Sequence, residues 1–342
     1  MRAANKSAEV TAKQQAKVDE RGRRRNAARK ARRLMEKKAD SMPVVELTGP
    51  KQQRVVEAEL VDPSPRGGLR EVWQQRYLLR LIVTRQLAQM YAASLLGLLW
   101  SYIQPALRFA VYFAVFGIIL KTHAGTPNFA LHLFTGMVFV HYFTETWSLG
   151  THSIWNNRAL VIKMRLPREV FPVAAMVVAA YHTAPQVLIL AIAALLLGWH
   201  VSLVGLAAGA LGLAILVCFS MALALSFAAL NVFFKDFQNI VQTLTQFLHF
   251  LVPMMYSYSY IARMGEHHRW AYELYFADPL AESVMLMQRL FWAPTLKPSQ
   301  YANEFPPDLW ARGFIMLAVC AILLMLAQKF FSRLEGKFPE RL

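Results

Sequence analysis

Charged side chains are missing from the middle of the chain. No Asp, Glu, Lys or Arg occurs between Glu169 and Lys235, a gap of 65 residues. Over all 342 residues, charged side chains make up 17%, whereas soluble domains carry about a quarter. About 20 apolar residues suffice to cross a bilayer, and the gap is more than three times that length. This scarcity excludes a soluble globular core and indicates a protein that crosses the membrane several times.

The chain also lacks the residue patterns of common cofactor and metal sites. Its two cysteines, Cys218 and Cys320, lie inside apolar runs and are typical of small core residues, not of a disulfide or a metal pair. No two histidines have the H-E-x-x-H spacing, and Gly336-Lys337 lacks the flanking residues of a P-loop. We therefore expect no catalytic residue, metal or cofactor in this chain, and any use of ATP and magnesium has to occur in another subunit.

Positive charge is concentrated near the N-terminus. The first 85 residues contain no apolar stretch resembling a signal peptide, so the N-terminus is expected to stay in the cytoplasm. Residues 1–65 are predicted to be a disordered basic extension held near anionic lipid headgroups, with docking onto a partner as the alternative. The net charge of +16 could suggest nucleic acid. However, Lys and Arg cluster in residues 1–85, in the loop 158–168 and after Gln328, as the positive-inside rule requires, so nucleic acid is not expected as a partner.

Six segments are predicted to span the inner membrane, with both termini in the cytoplasm. The fold class is therefore an all-α polytopic membrane protein, in which a permease domain over 98–330 precedes a cytoplasmic tail over 331–342. An amphipathic helix over 66–97, with Trp73 and Tyr77 beside cationic residues, is expected to lie in the membrane interface. The predicted spans are 98–120, 130–150, 170–197, 201–234, 238–262 and 313–328.

The segment 263–312 between the last two spans is predicted to be extracytoplasmic. It holds two short amphipathic helices that Pro279 separates. Asp278 and Glu282 are spaced i, i+4 and are expected on a solvated face. Alternatively, this pair could serve a membrane glycosyltransferase as a metal or base site.

Two opposite charges fall inside predicted spans. Arg108 lies in the first span and Glu145 in the second, and we expect them to form a structural ion pair that neutralises two costly charges. A proton relay is the alternative. Histidines in the spans are scattered and are more typical of polar packing residues than of metal ligands.

Several motifs in order along the chain carry a family resemblance. From about residue 69 to 335 the sequence resembles the type-2 ABC exporter permeases that move O-antigen, teichoic acid and related polysaccharides. Lys235-Asp236 stands where that family usually has Arg-Asp, and Asp278 where it usually has Asn. Segments 129–132 and 141–146 are most similar to actinobacterial galactan-precursor exporters. The motifs are 94–100 (SLLGLLW), 111–117 (VYFAVFG), 157–172, 253–256 (PMMY), and Asp278-Pro279-Leu280 followed by Arg289.

The resemblance implies an assembly and a way of driving it. It implies a homodimer with a pore on its axis and two copies of a separate ATPase subunit. The loop 155–168 would be a coupling helix seated in the ATPase, with lipid anchoring as the alternative. Asp278, Pro279, Glu282 and Arg289 would belong to gate helices. The coupling residues would be the cationic Arg158, Lys163, Arg165 and Arg168 and the apolar Leu160, Ile162 and Met164.

Aromatic residues in the first span share one broad helix face with Pro105. The resemblance favours a pore lining along which sugar rings slide, while helix packing or lipid contact is the alternative. The function expected is export of a lipid-linked polysaccharide across a lipid membrane, with another amphiphile as the runner-up substrate. The predicted lining residues are Tyr102, Phe109, Tyr112, Phe113 and Phe116, completed by Phe247, Phe250 and Tyr256 from the fifth span.

Overall fold

A computed structural model of the chain describes residues 68–92, 94–121, 126–297 and 304–342. The predicted extension 1–65 lies outside them. Throughout the described ranges the regular structure is helical and contains no strand, which confirms the all-α fold class. The helices are α1 (Gly68–Gln74), α2 (Arg76–Tyr91), α3 (Trp100–Tyr112), α4 (Phe129–Asn156), α5 (Arg158–Lys163), α6 (Val170–Leu196), α7 (Leu203–Phe233), α8 (Asp236–Leu251), α9 (Tyr258–His267), α10 (Arg269–Phe276), α11 (Pro279–Phe291), α12 (Leu309–Leu334) and α13 (Phe338–Arg341).

Four helical segments of the described chain are long and apolar enough to cross a membrane. They are Trp100–Ile119, in which α3 continues into a π-helical stretch, Val170–Leu196, Leu203–Phe233 and Leu309–Arg341. They correspond to the first, third, fourth and sixth predicted spans. The helices that cover the second and fifth predicted spans do not meet the same criteria of length and apolar composition.

Helix α4, the second predicted span, is long but comparatively polar. It has 28 residues, or about 42 Å at 1.5 Å per residue, which is enough to cross a bilayer. Most of its surface is buried against α6, α7, α8 and α11. A helix enclosed by protein on most sides does not need an apolar surface for lipid, so polar residues are tolerated along it.

The fifth predicted span, 238–262, is not one continuous helix. Helix α8 ends at Leu251, and a buried turn over 252–257 leads into α9. Within this turn Met254 lies against Gly136 of α4, where a Cβ would come within 2.2 Å of the methionine Cβ. The carbonyl oxygens of Pro253 and Met254 accept hydrogen bonds from Gln288 and His132. Interior side chains therefore satisfy the backbone groups that the break leaves open.

Helices α10 and α11 confirm the predicted pair that Pro279 separates. Asp278 caps α11, since its carboxylate accepts a hydrogen bond of 2.9 Å from the backbone N–H of Leu280, and Pro279 occupies the first turn. Helix α11 does not lie on the surface. It packs against α4, α7 and α12, and it approaches α7 closely where Gly209 and Gly212 leave room for its leucines.

This docking overturns one expectation about the gate segment. Glu282 is 0% exposed, so the prediction that it shares a solvated face with Asp278 is wrong. The reason is that α11 packs into the bundle against α4, α7 and α12, which leaves Glu282 buried near Arg312 and Asp308 at the start of α12. The next residue, Ser283, faces α7, where its hydroxyl donates a hydrogen bond of 2.8 Å to the carbonyl of Gly212.

The C-terminal residues fold back onto the bundle. Phe338 of α13 is fully buried, and the guanidinium of Arg168 lies 5.7 Å from the centre of its ring. Nearby, Gln328 of α12 donates a hydrogen bond of 2.7 Å to the carboxylate of Glu169. The predicted tail 331–342 is thus ordered where α5, the start of α6 and the end of α12 meet. We refer to this as the basic end of the bundle.

Candidate transport pathway and coupling surface

The loop between α4 and α6 presents a mixed cationic and apolar surface at the basic end. Arg158, Lys163 and Arg165 are exposed, and so are Ile162 and Met164, each 50% exposed. A helix is present where the coupling helix was predicted, since α5 begins after Asn157 and ends at Lys163. The surface is therefore available to a partner.

The loop is anchored to the bundle by buried side chains and an aromatic ring. Val161 of α5 is buried, and Leu160 is half-buried. The Trp155 ring lies between two cations, with the Arg158 guanidinium 5.4 Å from its centre and the Lys235 ammonium 4.0 Å away. Such cation–π contacts join the loop to the connection between α7 and α8. Lys235 directly precedes α8, so these contacts join α5 to the start of that helix.

Arg168 does not fit the role predicted for it. Its side chain is 3% exposed and packs on Phe338, so it cannot donate to a docking partner in this conformation. Burial is the main cause that lowers the pKa of its guanidinium, and it raises the pKa of the neighbouring Glu169 carboxyl. Arg168 and Glu169 thus fasten the C-terminal segment to the base of α6.

A polar cavity of about 510 Å³ opens between α3, α4 and α8. On the α3 side it is lined by Arg108 and Tyr112, and the Arg108 Nη1 atom lies 3.4 Å from Nε2 of His249 in α8. On the α4 side it is lined by His141 and Glu145. At 1.5 Å per residue, Glu145 lies about 16 Å along α4 from the basic end, which places the cavity near mid-membrane depth.

The predicted ion pair between Arg108 and Glu145 is not formed, although both residues line this cavity. The Glu145 carboxylate instead contacts Nδ1 of His182 at 2.5 Å and Nε2 of His141 at 3.4 Å. His182 Nε2 lies 2.7 Å from the Tyr91 hydroxyl, which in turn lies 2.7 Å from the Ser101 hydroxyl. The carboxylate is therefore held toward α6, on the side away from Arg108.

This network extends beyond the residues that sequence reasoning singled out. In the sequence, His182 is one of several scattered histidines in the spans, and no pattern points to Tyr91. The end of α2 reaches the middle of α6 at Tyr91, so the helix before the first span contributes a hydroxyl group to the polar interior. The signal for Tyr91 lies in tertiary structure, because 91 residues separate it from its partner.

The aromatic residues predicted to line a pore divide between two environments. Phe109 and Phe113 stack on each other and pack against Phe134 and Phe129 of α4. Tyr112 lines the polar cavity instead.

Three of the predicted lining residues face other cavities. Tyr102 and Phe109 line an apolar cavity of about 330 Å³ between α3, α4 and α6. Phe116 lines an outer cavity of about 440 Å³ beside Tyr256 and Arg263. Phe113 therefore fits the packing alternative, while Tyr112 and Phe116 face open space one helical turn apart.

The predicted contribution from the fifth span is similarly mixed. Phe247 and Phe250 are 59% and 55% exposed on α8, and Phe250 lines the polar cavity beside Tyr112. Tyr256 is held in place, since its hydroxyl donates a hydrogen bond of 3.0 Å to the Phe250 carbonyl and lies 3.2 Å from the Tyr275 hydroxyl. Helices α3 and α8 thus present polar and aromatic side chains to the same groove.

The gate segment holds two further charged residues of low exposure, the half-buried Arg289 and the buried Glu304. The Arg289 guanidinium lies 5.8 Å from the ring centres of both Phe305 and Trp310. Glu304 is 9% exposed, and burial raises the pKa of its carboxyl to about 7. Within the described part of the chain, no cluster of His, Cys, Asp and Glu has the arrangement of a metal site.

A helical bundle with several spans, a basic loop at one end and a polar groove inside has the plan of a membrane transport subunit. The family model for the ABC-2 type transporter matches residues 77–292, which is more than half of the chain. The chain therefore belongs to the ABC-2 type transporter family.

Curated relatives match most of the chain. It is 28% identical over 277 residues to the O-antigen export system permease protein RfbA of Myxococcus xanthus, covering 80% of this chain and 98% of that protein. It is 25% identical over 266 residues to an O-antigen export system permease protein RfbA of Klebsiella pneumoniae, covering 77% and 94%. The resemblance found in the motifs is thus confirmed over nearly the full length of these relatives.

Proposed function

We propose that this chain is the membrane-spanning permease subunit of an ABC exporter that moves a lipid-linked polysaccharide across the cytoplasmic membrane. It would act as a homodimer with two copies of a separate ATPase subunit, which bind ATP and magnesium. Both termini would be cytoplasmic, so that the basic end faces the ATPase. The observation that carries the proposal is the near full-length match to O-antigen export permeases.

The coupling surface supports the energetic part of this proposal. Exposed Arg158 and Lys163 provide charge-assisted donors for carboxylates, and exposed Ile162 and Met164 provide an apolar contact beside them. Lipid anchoring alone would not require the apolar residues to stand at the tip of the loop. The cation–π contacts on Trp155 then offer a path from the loop to α8.

The alternative of a membrane glycosyltransferase loses the residues on which it depended. It required Asp278 and Glu282 to act as paired acids near the surface. Glu282 is buried in the bundle near Arg312 and Asp308, and Asp278 is engaged in capping α11. Export of another amphiphile stays the second candidate, since the apolar cavity lined by Tyr102 and Phe109 would suit a lipid chain equally well.

The test combines charge reversal in the loop with a matched control. Arg158→Glu together with Lys163→Glu should weaken co-purification of the ATPase subunit and reduce surface polysaccharide, because juxtaposed like charges cost several kcal/mol. Arg333→Glu changes an exposed arginine elsewhere on the basic end and should leave both readouts near wild type. Normal co-purification and normal export by the double variant would reject the coupling role. A wild-type chain that supports no polysaccharide export would reject the proposed function itself.

A further inference from the structure

Arg108 is a full positive charge near the midpoint of the segment Trp100–Ile119. An arginine at the centre of a span is energetically costly, so it normally faces a protein partner or a water-filled path. Here it is exposed to the polar cavity. Among the described residues, no carboxylate lies within 4.0 Å of its guanidinium. The charge is therefore not neutralised by an ion pair in the described part of the chain.

The partner that Arg108 does have is a neutral acceptor. His249 Nδ1 lies 3.0 Å from the Thr245 carbonyl, which can only accept, so the proton of the ring is on Nδ1. Its Nε2 atom then carries a lone pair and accepts from Arg108 at 3.4 Å. This contact steers the guanidinium without removing its charge. Four of the five N–H donors of the arginine stay available to the cavity.

The acid that could compete for Arg108 is held elsewhere. Oε1 of Glu145 contacts His182, which Tyr91 fixes in turn, whereas Oε2 lies 3.4 Å from Nε2 of His141 and makes no hydrogen bond among the described residues. The cavity thus presents a guanidinium on one wall and, on the other, a carboxylate that is engaged through one oxygen. Further polar groups come from Tyr112 and Gln246.

We propose that this cavity is a binding site for an oxyanion, a phosphoryl or carboxylate group, carried by the exported amphiphile. The inference rests on the proposed function, whose substrate it defines more closely. The planar fork of Arg108 suits the paired oxygens of such a group. Neutral sugar hydroxyls would not require an unneutralised charge at this depth. The cavity volume of about 510 Å³ leaves room for a charged group together with adjoining atoms.

The site would bind the anionic group at mid-membrane depth during its passage across the bilayer. An anionic group crossing a bilayer loses its water, and a cation near the midpoint lowers that barrier. Because the guanidinium is held only by a neutral imidazole, it can turn to the ligand without breaking an ion pair. Binding is then strong enough to attract the anion and weak enough to release it.

Binding can be measured on the purified full-length chain in a neutral polyoxyethylene detergent. The probe is decyl phosphate, with decyl maltoside as the neutral compound of equal chain length, and the readout is the rise in the thermal unfolding midpoint with probe concentration. We expect decyl phosphate alone to bind. Arg108→Gln should weaken its binding about 10- to 100-fold, since hydrogen bonds to charged groups are of that strength.

Two variants control for folding and for charge in general. Arg108→Lys keeps the positive charge and should retain more of the binding than Arg108→Gln, while Arg333→Gln should bind like wild type. Equal binding by Arg108→Gln and wild type would overturn the proposal. So would binding of decyl maltoside with the same dependence on Arg108, since that would assign the site to sugar.

A last experiment tests whether the site binds the exported amphiphile or the headgroups of ordinary membrane lipid. Movement of fluorescent phosphatidylglycerol is followed in phosphatidylcholine vesicles containing the chain, and we expect no dependence on Arg108. Transfer of that lipid by wild type and not by Arg108→Gln would assign the site to bulk headgroups and overturn the proposal. In cells, loss of polysaccharide export in Arg108→Gln alone supports the site. Lack of export by wild type would reject the proposed function, but it would leave the decyl phosphate result standing.

Discussion

Near the basic end, Gly150 is the position of α4 at which we expect an added methyl group, as in Gly150→Ala, to fit least well. A Cβ at this position would lie 2.5 Å from the Cβ of Ala224 and 3.1 Å from its Cα. Non-bonded carbon atoms prefer about 3.5–4.0 Å, so α4 and α7 would have to separate by roughly 1 Å. Neither contacting atom can move by a side-chain rotation. The whole helix contact therefore has to shift.

Overpacking of this kind typically costs about 1–3 kcal/mol. For a chain of this size, Gly150→Ala should lower the thermal unfolding midpoint by about 1–4 °C. The assay is thermal unfolding of the purified chain in detergent. Gly336→Ala is the control, because no atom lies within 4 Å of a Cβ placed there.

A reciprocal substitution tests the cause. Ala224→Gly removes the opposing methyl group, and by itself it should cost about 1 kcal/mol through helix propensity. In the double variant Gly150→Ala with Ala224→Gly, the loss should be smaller than the sum of the two single losses by about 1–3 kcal/mol. Additive effects within about 0.5 kcal/mol, or a Gly150→Ala variant as stable as Gly336→Ala, would refute the steric explanation.

Two further predictions concern the aromatic stripe and the outer loop. Replacing Tyr112 and Phe116 together by Ala should reduce polysaccharide export while the chain stays folded, because both face cavities. Phe113→Ala should instead chiefly lower the unfolding midpoint, because Phe113 packs against Phe109 and Phe129; an equal effect of both replacements on stability would contradict this division. Burial raises the pKa of the Glu304 carboxyl from 4.5 to about 7, so the folded state retains this proton at pH values where the unfolded state loses it. The free energy of unfolding should therefore fall as pH rises from about 4.5 to 7, by at most about 3 kcal/mol. Glu304→Gln should flatten this part of the unfolding profile, and an unchanged profile would contradict the prediction.

The polar network in the interior includes the helix that precedes the first span. Tyr91 ties the end of α2 to His182 in the middle of α6, and through that ring to Glu145 of α4. A displacement of α2 would thus reach the wall of the polar cavity that Glu145 lines. The contacts of Arg158 and Lys235 with Trp155 join the α5 loop to the residue before α8.

Features that depend on neighbouring residues along the chain could be predicted from the sequence. The charge-free gap indicated membrane-spanning helices, because a bilayer requires long apolar stretches regardless of how they pack. Pro279 marked the start of α11, since its ring is compatible with a first turn and not with a helix interior. The exposed α5 loop followed from its basic residues, and the order of motifs indicated the family.

Features that depend on which helix faces which were decided only by the tertiary structure. The ion pair expected for Arg108 and Glu145 was inferred from their opposite charges in neighbouring spans, but the sequence position of a charge does not specify its direction around a helix axis. Packing turns Glu145 toward His182 and Arg108 toward His249. Likewise, Glu282 belongs to a helix whose composition suits a surface, yet that helix packs against α4, α7 and α12, and the acid is buried near Arg312 and Asp308. Close approach between distant segments has no local signature, and for that reason these partners could be recognised only in the folded chain.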